Sequence, residues 1–362
     1  MTQDEYDAAY AAARKSYASM SLETYKKLKQ VYIDASIRVQ EAIKAAEVAG
    51  NSQITIASLQ NINEQLQIAA NQIQGVISEE TISLMENGAL KGSSINVEFL
   101  KDALDKVDGL PFNIEGIKNA YVAVNQLVVE STLNRLFSDG YSFSERIIKA
   151  GEYYQEQVKL IIAQGQALAR STVEIAKDIK TYIKGDKLEL ANRYGILSRE
   201  DVDNFRKGKL NHIDWKEYEK AKIAEYGAEK GKLIVEQTKA FMKRIGNTVD
   251  WRALRIARSE LYMSLQDAAK EQGRTNPACN GTYDWVLEGG RQDWGCTCPE
   301  YARNGPYEYN LIPGYPHSNC RCSVRPNLRD VRDFEADLKK WNNGEAVPYL
   351  DEWYNTIYKS YQ

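Results

Sequence analysis

Cysteine is absent from this 362-residue chain before Cys279, histidine occurs only twice, and there are only eight prolines. Each scarcity excludes something. With so few prolines, long helices can run uninterrupted. With His212 and His317 as the only imidazoles, no His-Glu-x-x-His metalloprotease helix is available. The zinc-deaminase pattern is missing as well, because the residue two after His317 is Asn319. No Gly-x-x-x-x-Gly-Lys-Ser/Thr phosphate loop occurs. Apolar runs fall well short of the roughly 18 residues a membrane span needs, and no signal-peptide pattern opens the chain. The expectation is a soluble protein made in the cytoplasm, where thiols stay reduced. With 47 basic and 50 acidic residues, overall charge gives no pull toward polyanions. Locally, residues 1–140 carry about six more acids than bases and residues 201–262 about four more bases than acids.

What the sequence does contain favours helix. Tyr6, Tyr10, Ala13, Tyr17, Leu28, Val31, Ala35, Val39, Ala42 and Ala46 follow a three-then-four spacing, predicting one helix over residues 1–48 that stops at Gly50-Asn51-Ser52. Leu59, Ile62, Leu66, Ala69, Ile73 and Ile77 predict a second from about Ile54 to Met85, and the two seams suggest an antiparallel hairpin. Small residues and tyrosines dilute these seams, so the hairpin is expected to lean on the rest of the chain or on another chain. Gly88 to Ser94 reads as the first break. Helices are then expected at 96–107 and 113–137, separated by Asp108-Gly109-Leu110-Pro111, and from Ser144, an N-cap candidate, with an interruption at Gly165. Ser171 and Ser198 read as further caps. Trp215 to Ile245 reads as one long charged helix laced with acid–base pairs, and Asp250 as the cap of a helix from Trp251 to Gln272 with Arg258 and Glu260 off its buried stripe.

After Gly273 the helical period is lost. Glycines and aromatic residues crowd residues 274–326, with strand-like runs at Tyr283–Leu287 and Cys322–Arg325. Beyond Pro326 come a helix carrying Val331, Phe334, Leu338 and Trp341, and a tail rich in aromatic rings that should dock on this chain or a partner. The fold class expected is mainly α: a long N-terminal helical hairpin over 1–90, a central helical bundle over 91–273, a small loop-rich α+β zinc-knuckle-like module over 274–326, and a docking helix with aromatic tail over 327–362.

Four of the five cysteines form two Cys-x-Cys pairs, Cys296 with Cys298 and Cys320 with Cys322. In an extended or turn segment, residues i and i+2 point to one side, so each pair offers two sulfurs to one point. Together they would build a tetrahedral thiolate site for zinc, with His317 as an alternative nitrogen ligand. Five candidates compete for four places. The competing readings are a disulfide joining the pairs, or plain thiols. Residues 274–326 are poor in aliphatic side chains, which gives a metal staple a physical purpose. Cys279 lies apart and reads as a small packing residue.

The block Cys298-Pro299-Glu300-Tyr301-Ala302-Arg303-Asn304-Gly305, followed by Ile312-Pro313-Gly314-Tyr315-Pro316-His317-Ser318-Asn319-Cys320-Arg321-Cys322, resembles the C-terminal signature of phage minor head proteins. These are also called head morphogenesis proteins, the family that includes the F protein of phage Mu. The signature reads Cys-Pro-x-Cys, a short loop with glycine, then Pro-x-His-Pro-Asn-Cys-Arg-Cys. Here Tyr301 takes the place of the second cysteine, Cys296 precedes the first, and Ser318 replaces a proline. Upstream, Ile256-Ala257-Arg258-Ser259-Glu260 and Ser171-Thr172-Val173-Glu174-Ile175-Ala176 are similar to helix starts of the family, so the resemblance spans roughly residues 140–326.

The resemblance implies a structural virion component, not an enzyme, acting in head morphogenesis inside the capsid near the portal and residing in the host cytoplasm during assembly. Implied partners are the portal protein and/or the major capsid protein, with several copies per virion, a non-specific contact with packaged DNA, and no membrane. Two alternatives carry other chemistry. One is a zinc-dependent hydrolase or nuclease acting on nucleic acid, with Glu300 or Asp293 as base. The other is a phage-derived toxin or effector sharing the C-terminal module. His212 reads as an ordinary surface histidine.

Overall fold

The computed structural model describes residues 1–48, 56–136, 140–168, 170–207, 213–244, 249–288, 296–317 and 320–361, leaving out the side chains of residues 46–48, 56–58, 167, 244 and 249–257. The predicted stop at Gly50-Asn51-Ser52 and His212 lie outside these residues. So do Asp293 and the side chains of Ala46 and Asp250. The chain is mainly α, with one small antiparallel sheet near its C-terminal end. It divides into two compact units, neither continuous in sequence: Met1–Thr24 with Glu79–Phe143 and Leu254–Gln362, and Tyr25–Ser78 with Ser144–Ala253. Boundaries expected after residues 90, 273 and 326 fall inside a helix, a second helix and a strand.

Helix α1 covers Gln3–Val48 and α2 covers Ile56–Leu104. In the first unit the start of α1 lies against the end of α2, antiparallel as the seams suggested. The Met1 amino group pairs with Asp102, and the Tyr6 ring meets Phe99 edge-on at 5.8 Å. The expected break at Gly88–Ser94 does not occur, and α2 runs straight through it. The reason is packing. Helix α10, Val249–Thr275, passes so close that a Cβ on Gly88 would stand 2.9 Å from Leu265 Cδ2, and one on Gly92 2.9 Å from Gln272 Oε1. Gly88 and Gly92, four apart, share one face of α2 and form a notch for α10.

Polar side chains fix the register inside this contact. Gln272 Nε2 donates to Ala89 O (2.9 Å) and to Asn125 Oδ1 (2.7 Å), and Asn125 Nδ2 donates to Ser93 Oγ (3.1 Å). Asn276 Nδ2 and the Tyr6 hydroxyl both donate to Asn96 Oδ1 (2.9 and 3.2 Å). All of these residues are buried, and this sharing of donors and acceptors offsets their desolvation. Asn125 lies on α3, Ile114–Asn134, which Asn113 caps by accepting the Gly116 N–H.

Strand β1 (Cys279–Val286) forms the centre of the sheet, between β2 (Tyr307–Glu308) and β3 (Ser323–Leu328), in the order β2-β1-β3. Tyr283 stands opposite Tyr307 on one side and Pro326 on the other, while Trp285 faces Val324. Helix α10 continues past the expected stop at Gly273 because that glycine, like the two on α2, admits a neighbour: a Cβ there would meet the Tyr283 ring at 2.6 Å. The aromatic tail docks on its own chain. Past α12 (Val331–Asn342) and α13 (Pro348–Glu352), Trp353 and Tyr358 close on Phe112 with ring centroids at 4.9 and 5.5 Å, and Trp353 Nε1 donates to Thr275 O (2.7 Å).

In the second unit, the remaining stretches of α1 and α2 lean on this same chain. Helix α4 (Phe143–Ala167) buries Tyr154, Val158, Ile161 and Ile162, and Tyr154 meets Tyr32 of α1 at 5.9 Å. Gln74 of α2 donates to Ile148 O (3.2 Å). Ser144 lies within α4 instead of capping it, and the helix continues beyond Gly165, whose bare Cα leaves room for Ile175. Ser171 and Ser198 cap α5 (Thr172–Ile183) and α7 (Arg199–Arg206) with full capping boxes, as predicted.

The long helix expected over Trp215 to Ile245 is two, α8 (Trp215–Tyr226) and α9 (Ala228–Arg244), parted at Gly227 with φ 83°. Its acid–base lacing is sparse too. Among the described residues, Lys222–Glu225 is the one ion pair within α8 and α9, while Lys230 and Lys239 lie over the Tyr226 and Trp215 rings at 5.4 and 5.6 Å.

The notch makes a testable distinction between glycines of one helix. Gly75 of α2 has no neighbour within 4 Å of a new Cβ, so Gly75→Ala should stabilise by roughly 1 kcal/mol through helix propensity. Gly88→Val and Gly92→Val should each destabilise by about 1–3 kcal/mol through overpacking. Urea unfolding midpoints of the three variants check both signs, and a gain at position 88 or 92 would refute the notch.

Candidate metal centre

The two Cys-x-Cys pairs reach one place from two local structures. Cys298 is the first residue of the short helix α11, Cys298–Asn304, entered through Thr297 and continued by Pro299, whose fixed φ suits a helix start. Its N–H points back at Cys296 Sγ, 3.4 Å away. On the other side, Cys320 N–H donates to His317 O (3.2 Å), turning the chain so that imidazole and thiol both face α11. Cys322 then leads directly into β3.

All five predicted ligands come together. Cys296 Sγ lies 3.0 Å from His317 Nε2, Cys298 Sγ lies 3.8 Å from the same nitrogen, and Cys298 Sγ lies 3.4 Å from Cys320 Sγ. Two triads result, Cys296–Cys298–His317 and Cys298–Cys320–Cys322, each with ligand atoms mutually within 4.8 Å, and Cys298 belongs to both. The second triad is fully buried, in a small core with Tyr283, Trp285 and Val324. This cluster could hold a metal ion. Two sulfurs on one tetrahedral zinc stand ~3.8 Å apart, given Zn–S bonds of about 2.3 Å, so the 3.4 Å contact needs only a few tenths of an ångström of adjustment.

Burial and mutual contact drive the three buried thiols in different directions. Burial pushes the Cys298 thiol up to about 12, with Cys296 adding to the effect. Cys320 is raised first by its hydrogen bond to Cys322 and then by burial. Cys322 is lowered to about 6, chiefly by that bond from Cys320 and also by the Glu288 backbone N–H. Sulfurs this close cannot all ionise unaided, and a bound cation removes that repulsion. The cysteines are free thiols.

Other candidates fall away from the cluster. Glu300 is exposed on α11 and belongs to neither triad. Glu260, expected off the buried stripe of α10, is buried instead at 1 % exposure. Cys279, on β1, stands outside both triads, with burial pushing its thiol up.

The sequence gives no warning of the residues that seat the module. Tyr10 of α1 donates to Val324 O (2.6 Å), Arg14 of α1 to Leu287 O (3.0 Å), and Gln266 of α10 to Cys322 O (3.4 Å). Tyr315 donates to Cys320 O (2.8 Å), and Arg325 of β3 pairs with both Asp7 and Asp284. Carbonyls that a loop-rich module cannot satisfy internally are thus satisfied by two long helices. Comparison with family models, with curated proteins and with solved structures finds no match to this chain.

Because the Cys322 carbonyl is held from α10, binding of a metal and seating of the module are linked. Gln266→Leu, which removes the buried donor to Cys322 O, should weaken zinc binding roughly tenfold, at the low end for outer-shell changes. Competition against a chromophoric chelator measures it, and unchanged affinity would mean that the module forms its site without α10.

Proposed function

We propose that this chain is a structural component of a phage head, a minor head protein acting in head morphogenesis, whose C-terminal module is fastened by one zinc ion. The observation that carries the reading is the convergence of Cys296, Cys298, His317, Cys320 and Cys322 from the two halves of the motif. Thiolates and imidazole without a carboxylate are the donor set of structural zinc, and no carboxylate belongs to either triad among the described residues. When bound, the metal supplies cross-linking of two chain segments. The residues themselves position the sulfurs, exclude water from three of them and accept backbone N–H groups.

The rest of the reading follows from that staple. A module tied to long helices is a rigid docking element, and the partners it suits are the portal protein and/or the major capsid protein, met in several copies inside the capsid. Lys216, Lys220, Lys230, Lys232, Lys239 and Lys243 on α8 and α9 are exposed and make no ion pair among the described residues, which supports a weak, salt-dependent contact with packaged DNA. No helix of the described residues is long and apolar enough to cross a membrane.

Elemental analysis of the purified protein should find about one zinc per chain, lost in Cys298→Ser together with protease resistance of the C-terminal third. Full retention of zinc when Cys296 and Cys298 are both changed would remove the site. Co-purification with the portal protein from infected cells tests the assembly role, and recovery only as free protein would count against it.

A further inference from the structure

Cys298 is the one residue common to both triads, so whatever takes its sulfur breaks both. Across the cluster it meets Cys320, sulfur to sulfur, at 3.4 Å. A disulfide needs about 2.05 Å, an approach of a little over an ångström. Both side chains are buried, at 2 % exposure, and both are anchored: Cys298 at the first position of α11, Cys320 by its N–H on His317 O and by the Tyr315 hydroxyl on its carbonyl.

We propose that Cys298 and Cys320 form a redox-modification site, in which a disulfide between them and a bound metal exclude each other. This rests on the metal reading only where metal release is concerned. The oxidant is a peroxide. One sulfur, its proton passed to water, attacks the peroxide oxygen as a thiolate, the O–O bond breaks, and a sulfenic acid forms while the leaving hydroxide takes up that proton as water. The second sulfur then displaces the hydroxyl, the S–S bond forms, and a second water leaves. Two thiols have lost two electrons and two protons to one peroxide. In the loaded site both sulfurs are bound to metal as thiolates and the small core covers them. The metal-free chain is therefore the faster substrate, and oxidation of the loaded chain expels the ion.

The test uses the full chain, prepared loaded with zinc or stripped by a chelator, exposed to hydrogen peroxide and mapped by non-reducing peptide mass spectrometry. Metal-free protein should acquire a Cys298–Cys320 cross-link at least tenfold faster than loaded protein. Loaded protein should release zinc one for one with that cross-link, and a thiol reductant should restore binding. Cys279→Ser, outside both triads, should behave like the parent. A cross-link between other cysteines, sulfinic acid at Cys298 in place of a bond, or a native mass carrying both zinc and the Cys298–Cys320 disulfide would overturn the proposal. Failure to bind zinc at all would defeat the metal reading and leave the cross-link in the metal-free chain to decide this one.

Discussion

The close approach of α10 to α2 at Gly88 and Gly92 governs the first unit. It lets side chains of α10 seat directly on the backbone of α2, so Gln272, Asn125, Asn96 and Asn276 can bridge backbone and side-chain groups that would otherwise be buried unpaired. Leaving such groups unpaired costs about 1–3 kcal/mol each, which makes the polar seam selective for one register. From that fixed α10, Gly273 repeats the device toward the sheet by admitting Tyr283. The β-sheet that carries the cysteine module is thus placed by side chains seated on glycines, each contact needing a residue without a side chain.

The module they place is weak on its own. Its core is three cysteines, Tyr283, Trp285 and Val324, with further tyrosines packed around it. A core this poor in aliphatic groups gains little from burial, and segments of its backbone are loops whose carbonyls need partners. Tyr10, Arg14 and Gln266 meet part of that need from the long helices. The cysteine cluster brings α11 beside the segment that enters β3.

Much of this was legible in the sequence, and the failures share one cause. Helices α1 and α3, the capping boxes at Ser171 and Ser198, both main strands and all five clustered ligands followed from periodicity, cap chemistry and spacing. Glycine is the hardest residue to place: Gly88 and Gly92 read as a break but are contacts within α2, α4 and α10 run two residues past Gly165 and Gly273, and Gly227, inside a stretch that reads as one helix, is a true break. A glycine that ends a helix and one that admits a neighbour have the same local sequence, and only the long-range partner separates them. The seat residues were illegible for the same reason, since a tyrosine on a helix seam carries no mark of the carbonyl it will meet. The α8–α9 lysines were misjudged differently, because spacing shows which charges could pair and not that rings at Tyr226 and Trp215 would hold two of them instead.

Position within the fold also bears on what kind of site this is. A metal that performs chemistry needs an open coordination place and a base within reach, which favours a cleft and a carboxylate. Here Cys298, Cys320 and Cys322 are buried, the exposed Glu300 belongs to neither triad, and the partly exposed members, Cys296 and His317, are themselves ligand candidates. Three of the five candidate donors lie in one small core with Tyr283 and Trp285. The surplus donor has a structural sense. With Cys296 and His317 3.0 Å apart and both beside Cys298, either could complete a coordination sphere built on the buried sulfurs.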